Sequence, residues 1–194
     1  MKTLTRCCLL SALLLLAACA TTPPSRQYRL LALAQGGHAG EGDALLRIRS
    51  VTVPGVVDRP VIVTWREDML LHSSEFERWA EPVETQIAEV LVRNLDALLP
   101  GHQVVRGRRH AGLQTDLELE VEILRFDGIL GEEAVLELRW SWSGVNAPSG
   151  LHEWRGKSPL NAKEPPAFVR AQSELLLQAG KEIANTTPGK IDEG

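Results

Sequence analysis

Residues Val51–Leu95 read VTVPGVVDRPVIVTWREDMLLHSSEFERWAEPVETQIAEVLVRNL, and this stretch decides the fold. Two runs rich in β-branched residues flank the triplet Asp58-Arg59-Pro60. The second run, Val61–Trp65, is predicted to be a strand, and proline can only open it because it has no N–H to give to a ladder. Pro54-Gly55 predicts a turn before the triplet.

An amphipathic helix is predicted over Val83–Leu99, where apolar residues recur at helical spacing. Pro82 suits the first turn of this helix, and Pro100-Gly101 ends it. Between strand and helix, the sequence predicts a short strand over Met69–His72 and a connector over Glu75–Pro82. Trp79, within that connector, is expected to anchor it to the core.

Further along the chain, hydrophobic and polar residues alternate over Thr115–Phe126 and again over Glu133–Ser143. This period of two predicts a hairpin with one buried face. His152–Lys157 is predicted to add a third strand to the meander. Gln103–Val105 is a further short strand candidate.

Two more strands and a second helix complete the prediction. A first strand is expected over Tyr28–Ala34, and another over Leu46–Val53 with a bulge at Ser50-Val51. Pro165-Pro166 opens a helix over Ala167–Ala184. The predicted fold class is α+β: a mostly antiparallel sheet with two main helices packed on one face.

The N-terminus has the pattern of a lipoprotein signal peptide, residues 1–18, which is not part of the fold. Its apolar run is ten residues, shorter than the roughly 20 that span a bilayer. Leu16-Ala17-Ala18-Cys19 is typical of a lipobox, so Cys19 is expected to carry the lipid. Residues 19–27 then form a lipidated tether, residues 28–185 the domain and residues 186–194 a disordered tail.

Lipid on Cys19 predicts a membrane-anchored protein. Ala20 stands where bacterial lipoproteins that stay in the inner membrane commonly have Asp, which favours the periplasmic face of the outer membrane. No cysteine follows Cys19, so neither a disulfide nor a cysteine metal site is expected.

The charge balance argues against nucleic acid as a partner. Removing residues 1–18 takes away Lys2 and Arg6 and leaves 19 basic against 25 acidic residues, a net charge of −6. Phosphate binding requires a basic face. The cluster Arg106–His110 could form a local basic patch, or simply a solvated loop.

Three motifs carry a family resemblance: Val53-Pro54, then Asp58-Arg59-Pro60 before an apolar run, and then Arg78-Trp79-Ala80-Glu81-Pro82 opening a helix. The chain resembles the PqiC-type (paraquat-inducible) auxiliary lipoproteins of ABC-type lipid transporters. The resemblance implies a non-enzymatic accessory subunit of an intermembrane phospholipid transport system that supports envelope integrity. It also implies a mammalian-cell-entry (MCE) domain transporter protein as partner, self-association into a homo-oligomer, and no cofactor beyond the covalent lipid (palmitate included) on Cys19.

The candidate partner-binding residues come from these motifs: Asp58, Arg59, Arg78, Trp79 and Glu81. A structural alternative stands beside this assignment. In it, Asp58 caps the turn, and Arg59 pairs with a carboxylate such as Glu81.

Other hypotheses rest on side chains elsewhere. A lipid-carrying lipoprotein would hold an acyl chain in a cavity lined by Trp140, Trp142 and Trp154. A hydrolase would need a pair such as His72 and Ser73, but no motif surrounds them and no catalytic residue is predicted. The acidic row Asp116, Glu118, Glu120 and Glu122 is expected to be a solvated face, with docking of a basic partner as the alternative and Arg139 as a neutralising neighbour.

Overall fold

The computed structural model describes residues 24–36, 44–107, 115–144 and 147–188. Within those residues, eight strands form one mixed sheet and two helices pack against it, which confirms the predicted α+β class. The predicted signal peptide and Cys19 lie outside the described residues. The elements are β1 (Arg26–Tyr28), β2 (Ala44–Thr52), β3 (Val61–Trp65), β4 (Leu71–Trp79), α1 (Val83–Leu98), β5 (His102–Arg106), β6 (Leu117–Ile129), β7 (Glu133–Gly144), β8 (Leu151–Pro159) and α2 (Pro165–Asn185).

The long strand β6 organises the sheet. Along one side it pairs antiparallel with β7, and β8 continues the meander as predicted. Along the other side, β2 pairs in parallel with its first half and β3 meets its end, where Trp65 lies beside Ile129. β5 extends the sheet beyond β2, while β4 and then β1 extend it beyond β3. The predicted bulge in β2 is confirmed as a register shift between Ile48 and Ser50.

The core lies between the sheet and the two helices. Residues that alternate along β2, β6 and β7 are buried on this face, and the apolar stripes of α1 and α2 cover them. Phe126 of β6 lies at the centre, with its ring centroid 6.1 Å from that of Trp79 and 6.2 Å from that of Phe168 in α2. We call this the inner face of the sheet and the opposite one the outer face. Neither described helix combines the length and the hydropathy that crossing a bilayer requires.

The predicted first strand, Tyr28–Ala34, is wrong. Only Arg26–Tyr28 forms a strand, and the chain then runs irregularly over the helices. Helix side chains accept its N–H groups: Gln86 Oε1 from Leu30 at 2.9 Å, and Asn94 Oδ1 from Leu33 and Ala34, each at 3.0 Å. Because buried polar side chains satisfy this backbone, it needs no sheet partner.

The prediction for residues 69–82 is also wrong. β4 begins at Leu71 and continues to Trp79, through most of the segment taken as a connector. The β3–β4 register shifts between Val61 and Val63, so β4 carries extra residues and lacks a period of two. The alternation that identifies a strand in sequence is therefore missing.

Near the C-terminus, the first residues of the predicted tail pack against the domain. Thr187 is buried, and Thr186 Oγ1 lies 3.1 Å from Nε1 of both Trp140 and Trp142, whose indole N–H groups point to it. Residues 189–194 lie outside the described residues.

Candidate docking site

The two motifs of the family resemblance meet at the junction of β3, β4 and α1. Backbone hydrogen bonds fold residues 54–58 into the predicted turn, with Val57 N–H donating to Pro54 O at 3.0 Å. Trp79 N–H donates to Pro60 O at 2.9 Å, which joins the second motif to the first. A pocket of about 290 Å³ opens between them, lined by Asp58, Arg59, Pro60, Trp79, Ala80, Glu81 and Pro82.

Trp79 provides the floor of this pocket and is a core residue, as predicted. Only 6% of its surface is exposed, and its ring packs on Phe126. Two hydrogen bonds of the Gln86 side chain hold the start of α1 in place. Its Nε2 donates to Glu81 O at 2.9 Å, and its Oε1 accepts from Leu30 N–H. The pocket is therefore a rigid feature built on packed residues.

Charged side chains surround the pocket. Asp58, Arg59 and Glu81 are exposed, and none of them forms an ion pair with another described residue. The structural alternative in which Arg59 pairs with Glu81 is thus not observed there. Arg78 lies opposite Val61 in β4, outside the pocket lining. The structure brings together four of the five candidate residues and leaves these three charges available to a partner.

The acidic row is only partly the solvated face that the sequence predicts, since the side chains of Glu120 and Glu122 are 42% and 47% exposed but Glu118 is buried. Glu118 is buried and paired with Arg47 of β2, and Glu120 is paired with Arg49. Arg139 of β7 contacts Glu122 with 2.7 Å between Nε and Oε2, as expected for a neutralising neighbour. Sequence reasoning missed the alternating arginines of β2, because the parallel β2–β6 register is not visible in local patterns. Arginines thus pair with Glu118, Glu120 and Glu122, and Asp116 Oδ2 accepts a hydrogen bond from Leu45 N–H at 2.8 Å, so within the described residues the row offers no unpaired acidic surface for a basic partner.

The residues considered for catalysis do not come together. His72 and Ser73 are consecutive in β4, so their side chains point to opposite sides of the strand. No group of three His, Cys, Asp or Glu side chains in the described ranges could hold a metal ion. Of the cluster Arg106–His110, only Arg106 and Gly107 lie within the described residues.

The indoles of the lipid-carrier hypothesis are packed by the protein itself. Trp140 and Trp142 are buried, and Trp140 stacks on His152 with 5.3 Å between ring centroids. The Trp154 ring lies against Gly156, where an added Cβ would approach its Cη2 to 2.3 Å. Trp140 and Trp142 are thus part of the hydrophobic core, and Trp154 packs against it.

Sequence reasoning missed a second concave surface, on the outer face. A pocket of about 450 Å³ there includes Trp65, Met69, Ile129 and Val135, with Arg125 and Asp127 beside them. It lies next to the β3–β4 turn, where Met69-Leu70-Leu71 is an exposed apolar run. That run within an otherwise polar turn is the sequence pattern that could have identified this surface.

Comparison with known proteins extends the resemblance to most of the chain. The family described as "ABC-type transport auxiliary lipoprotein component" matches residues 28–184. The intermembrane transport lipoproteins PqiC of Escherichia coli and Shigella flexneri are each 28% identical over 119 residues, covering 60% of this chain. That alignment spans 62% of the length of these relatives.

Two crystal structures share the fold. One, of an uncharacterised protein, has a TM-score of 0.70 at 20% identity, covering 84% of this chain and 97% of the other. The second, of a Xanthomonas campestris protein, has a TM-score of 0.62 at 16% identity, with 81% and 92% covered. The family profile covers the sheet, both helices and the pocket between the two motifs. The chain therefore belongs to the family of ABC-type transport auxiliary lipoprotein components.

Proposed function

We propose that this chain is the lipid-anchored accessory subunit of an intermembrane phospholipid transport system, and that it receives an MCE-domain transporter protein beneath the outer membrane. The observation that carries the proposal is the family match over residues 28–184, which describes a transport component rather than an enzyme. The name of the PqiC relatives, intermembrane transport lipoprotein, supports the same role. In this role the chain supports envelope integrity and acts as a homo-oligomer.

Anchorage follows from the sequence that precedes the domain. The lipobox ends at Cys19, and Ala20 lacks the Asp that would favour retention in the inner membrane. Several acyl chains on one residue make release from a bilayer negligible, since each buried methylene contributes about 0.8 kcal/mol. The domain then stays at the periplasmic face of the outer membrane.

The docking surface for the transporter protein is the pocket between Asp58-Arg59-Pro60 and Trp79–Pro82. Its buried tryptophan gives a rigid base, and its exposed charges have no ion-pair partner among the described residues. A rigid cleft rimmed with unpaired charges suits a specific protein contact, because complementary charges set orientation and association rate. Asp58, Arg59 and Glu81 contact the partner directly. Arg78 and Trp79, at the end of β4, position them through the pairing of Arg78 with Val61 and the hydrogen bond from Trp79 N–H to Pro60 O.

The test is co-purification of the MCE-domain protein with the full-length tagged chain from detergent extracts. We expect recovery with the parent chain and reduced recovery with Arg59→Glu, since the change reverses the charge at the pocket. Arg170→Glu is the matched control, because Arg170 is also exposed and lies on α2, away from the pocket. Equal recovery with both variants would show that the docking surface lies elsewhere. No recovery of the MCE-domain protein with the parent chain would refute the partnership.

A further inference from the structure

The turn between β3 and β4 exposes apolar side chains to water. Met69 is 84% exposed, Leu70 58% and Leu71 37%, so three consecutive large hydrophobic residues lie uncovered. Met69 is the most exposed large hydrophobic residue in the described part of the chain. A contiguous exposed apolar group of this kind indicates a contact surface, whereas single exposed residues are common.

Met69 also occupies a conformation that does not suit it. Its φ is +63°, and it is the one non-glycine residue with positive φ in the described ranges. Arg66 N–H donates to Leu70 O and Met69 N–H to Arg66 O, each at 2.9 Å, which closes a tight hairpin turn. Glycine or asparagine fills such a left-handed position at lower cost. A strained methionine that points into water is consistent with use of the side chain itself.

The β3–β4 turn lies at the same end of the sheet as the first residue of β1, the strand that follows the proposed anchor at Cys19 in sequence. β1 is parallel to β4, with Arg26 beside Glu77 and Tyr28 beside Trp79. The N-terminal end of β1 therefore faces the Leu71 end of β4 and the turn. Six residues lie between Cys19 and Arg26 and seven between Met69 and Glu77, so both paths span at most about 25–30 Å. An anchor at Cys19 thus holds this end of the domain at the bilayer.

The neighbouring side chains fit a shallow position in the membrane interface. Trp65 and Arg66 stand where the turn leaves β3, and tryptophan and arginine both favour the boundary between acyl chains and headgroups. Glu67 and Asp68 are exposed on the same turn, with Asp68 Oδ2 3.5 Å from Arg66 Nη2. These carboxylates oppose entry into the hydrocarbon, so the apolar residues reach only the headgroup boundary.

We propose that the β3–β4 turn, through Met69, Leu70 and Leu71, is a second membrane contact that inserts shallowly into the lipid surface and orients the anchored domain. This inference rests on the anchorage at Cys19 proposed above. A single lipid-anchored tether limits the distance of the domain from the bilayer but does not fix its orientation. Two separated contacts restrict rotation of the domain and keep the pocket between Asp58-Arg59-Pro60 and Trp79–Pro82 in a constant direction.

The experiment places one fluorescent label on the full-length lipidated chain in vesicles of phosphatidylethanolamine and phosphatidylglycerol. Leu70→Cys carries an environment-sensitive dye, and Leu151→Cys is the matched control. Leu151 has the same 58% exposure but lies at the other end of the sheet, since it pairs with Ser141 near the end of β7. In the mature chain Cys19 is consumed by lipid, so each label is unique.

We expect the dye at position 70 to shift to shorter wavelength on reconstitution and to be quenched by spin-labelled lipid, while the dye at 151 does neither. Met69→Asp should abolish quenching at position 70 although the protein still floats with the vesicles. A protein that floats with an unquenched dye at 70 overturns the inference alone. A blue shift without lipid quenching also overturns it, because a second copy then covers the turn. Failure to float overturns the anchorage and, with it, this contact.

Discussion

Met69 has a backbone conformation that is unfavourable for a residue with a Cβ. Its left-handed conformation costs about 1–2 kcal/mol for a residue with a Cβ. Glycine removes that strain but loses about 0.5–1 kcal/mol through greater freedom of the unfolded chain. We expect Met69→Gly to leave the free energy of unfolding unchanged or to raise it by up to about 1 kcal/mol. Urea denaturation of the detergent-solubilised chain measures this, and a clear loss of stability would show that the Met69 side chain stabilises the fold.

Asn94 performs a structural task at the same scale. It is fully buried in α1, and its Oδ1 accepts the N–H groups of both Leu33 and Ala34. Asn94→Leu keeps the size but removes the acceptor, so it should cost about 1–3 kcal/mol for the unpaired donors. Urea denaturation tests this against the parent chain, and unchanged stability would mean that residues 29–36 do not depend on the bond. Hydrogen exchange at Leu33 and Ala34 should accelerate more than exchange within β6.

At the scale of elements, two ion pairs connect β2 to β6, and one of them is buried while the other is exposed. The side chains of Arg47 and Glu118 are 8% and 10% exposed, whereas those of Arg49 and Glu120 are 57% and 42% exposed. Removing one partner of a buried pair leaves an uncompensated charge and costs about 3–5 kcal/mol. An exposed pair contributes about 0–1 kcal/mol after screening by solvent.

We therefore expect Arg47→Met to destabilise the protein strongly and Arg49→Met to change its stability little. The two substituted residues lie two positions apart in β2. Thermal or urea unfolding of both variants compares their loss of stability. Similar losses in both would contradict the assignment of Glu118 to a buried pair. Salt should reduce the small effect at Arg49 more than the large effect at Arg47.

The elements that sequence predicted well are those with an uninterrupted period. Hydrophobic and polar residues alternate along most of β6 and β7. In α1, apolar residues recur at helical spacing, with proline before the helix and proline and glycine after it. In these elements the local pattern and the tertiary fold agree. β4 and residues 29–36 were predicted wrongly for two different reasons. β4 carries a register shift against β3, and residues 29–36 bind side chains of helices more than fifty residues away.

The candidate site could likewise be predicted only where it depends on local sequence motifs. Motif order brought out Asp58, Arg59, Trp79 and Glu81, and the structure places these four around one pocket. The β2 arginines that neutralise the acidic row, and the exposed β3–β4 turn, depend on strand order and solvent exposure. Strand order cannot be read from a local stretch of sequence, whereas the apolar run Met69-Leu70-Leu71 in a polar turn could have indicated the exposed surface.

At the scale of the whole molecule, the proposed anchorage depends on one atom, the sulfur of Cys19. Cys19→Ser removes the thiol that takes the lipid, so we expect loss of palmitate labelling and release of the protein from the membrane fraction. Membrane flotation after metabolic labelling with palmitate measures both. A Cys19→Ser protein that still floats with the outer membrane would show that another contact suffices for attachment.

We propose that this chain is the anchored accessory subunit of an MCE-type transport system. Light scattering on the detergent-purified full-length chain, with and without the co-expressed MCE-domain protein, tests this proposal. We expect a discrete oligomer of the chain alone and a single larger particle containing both proteins when the partner is present. Two separate particles, each with the mass it has alone, would contradict it.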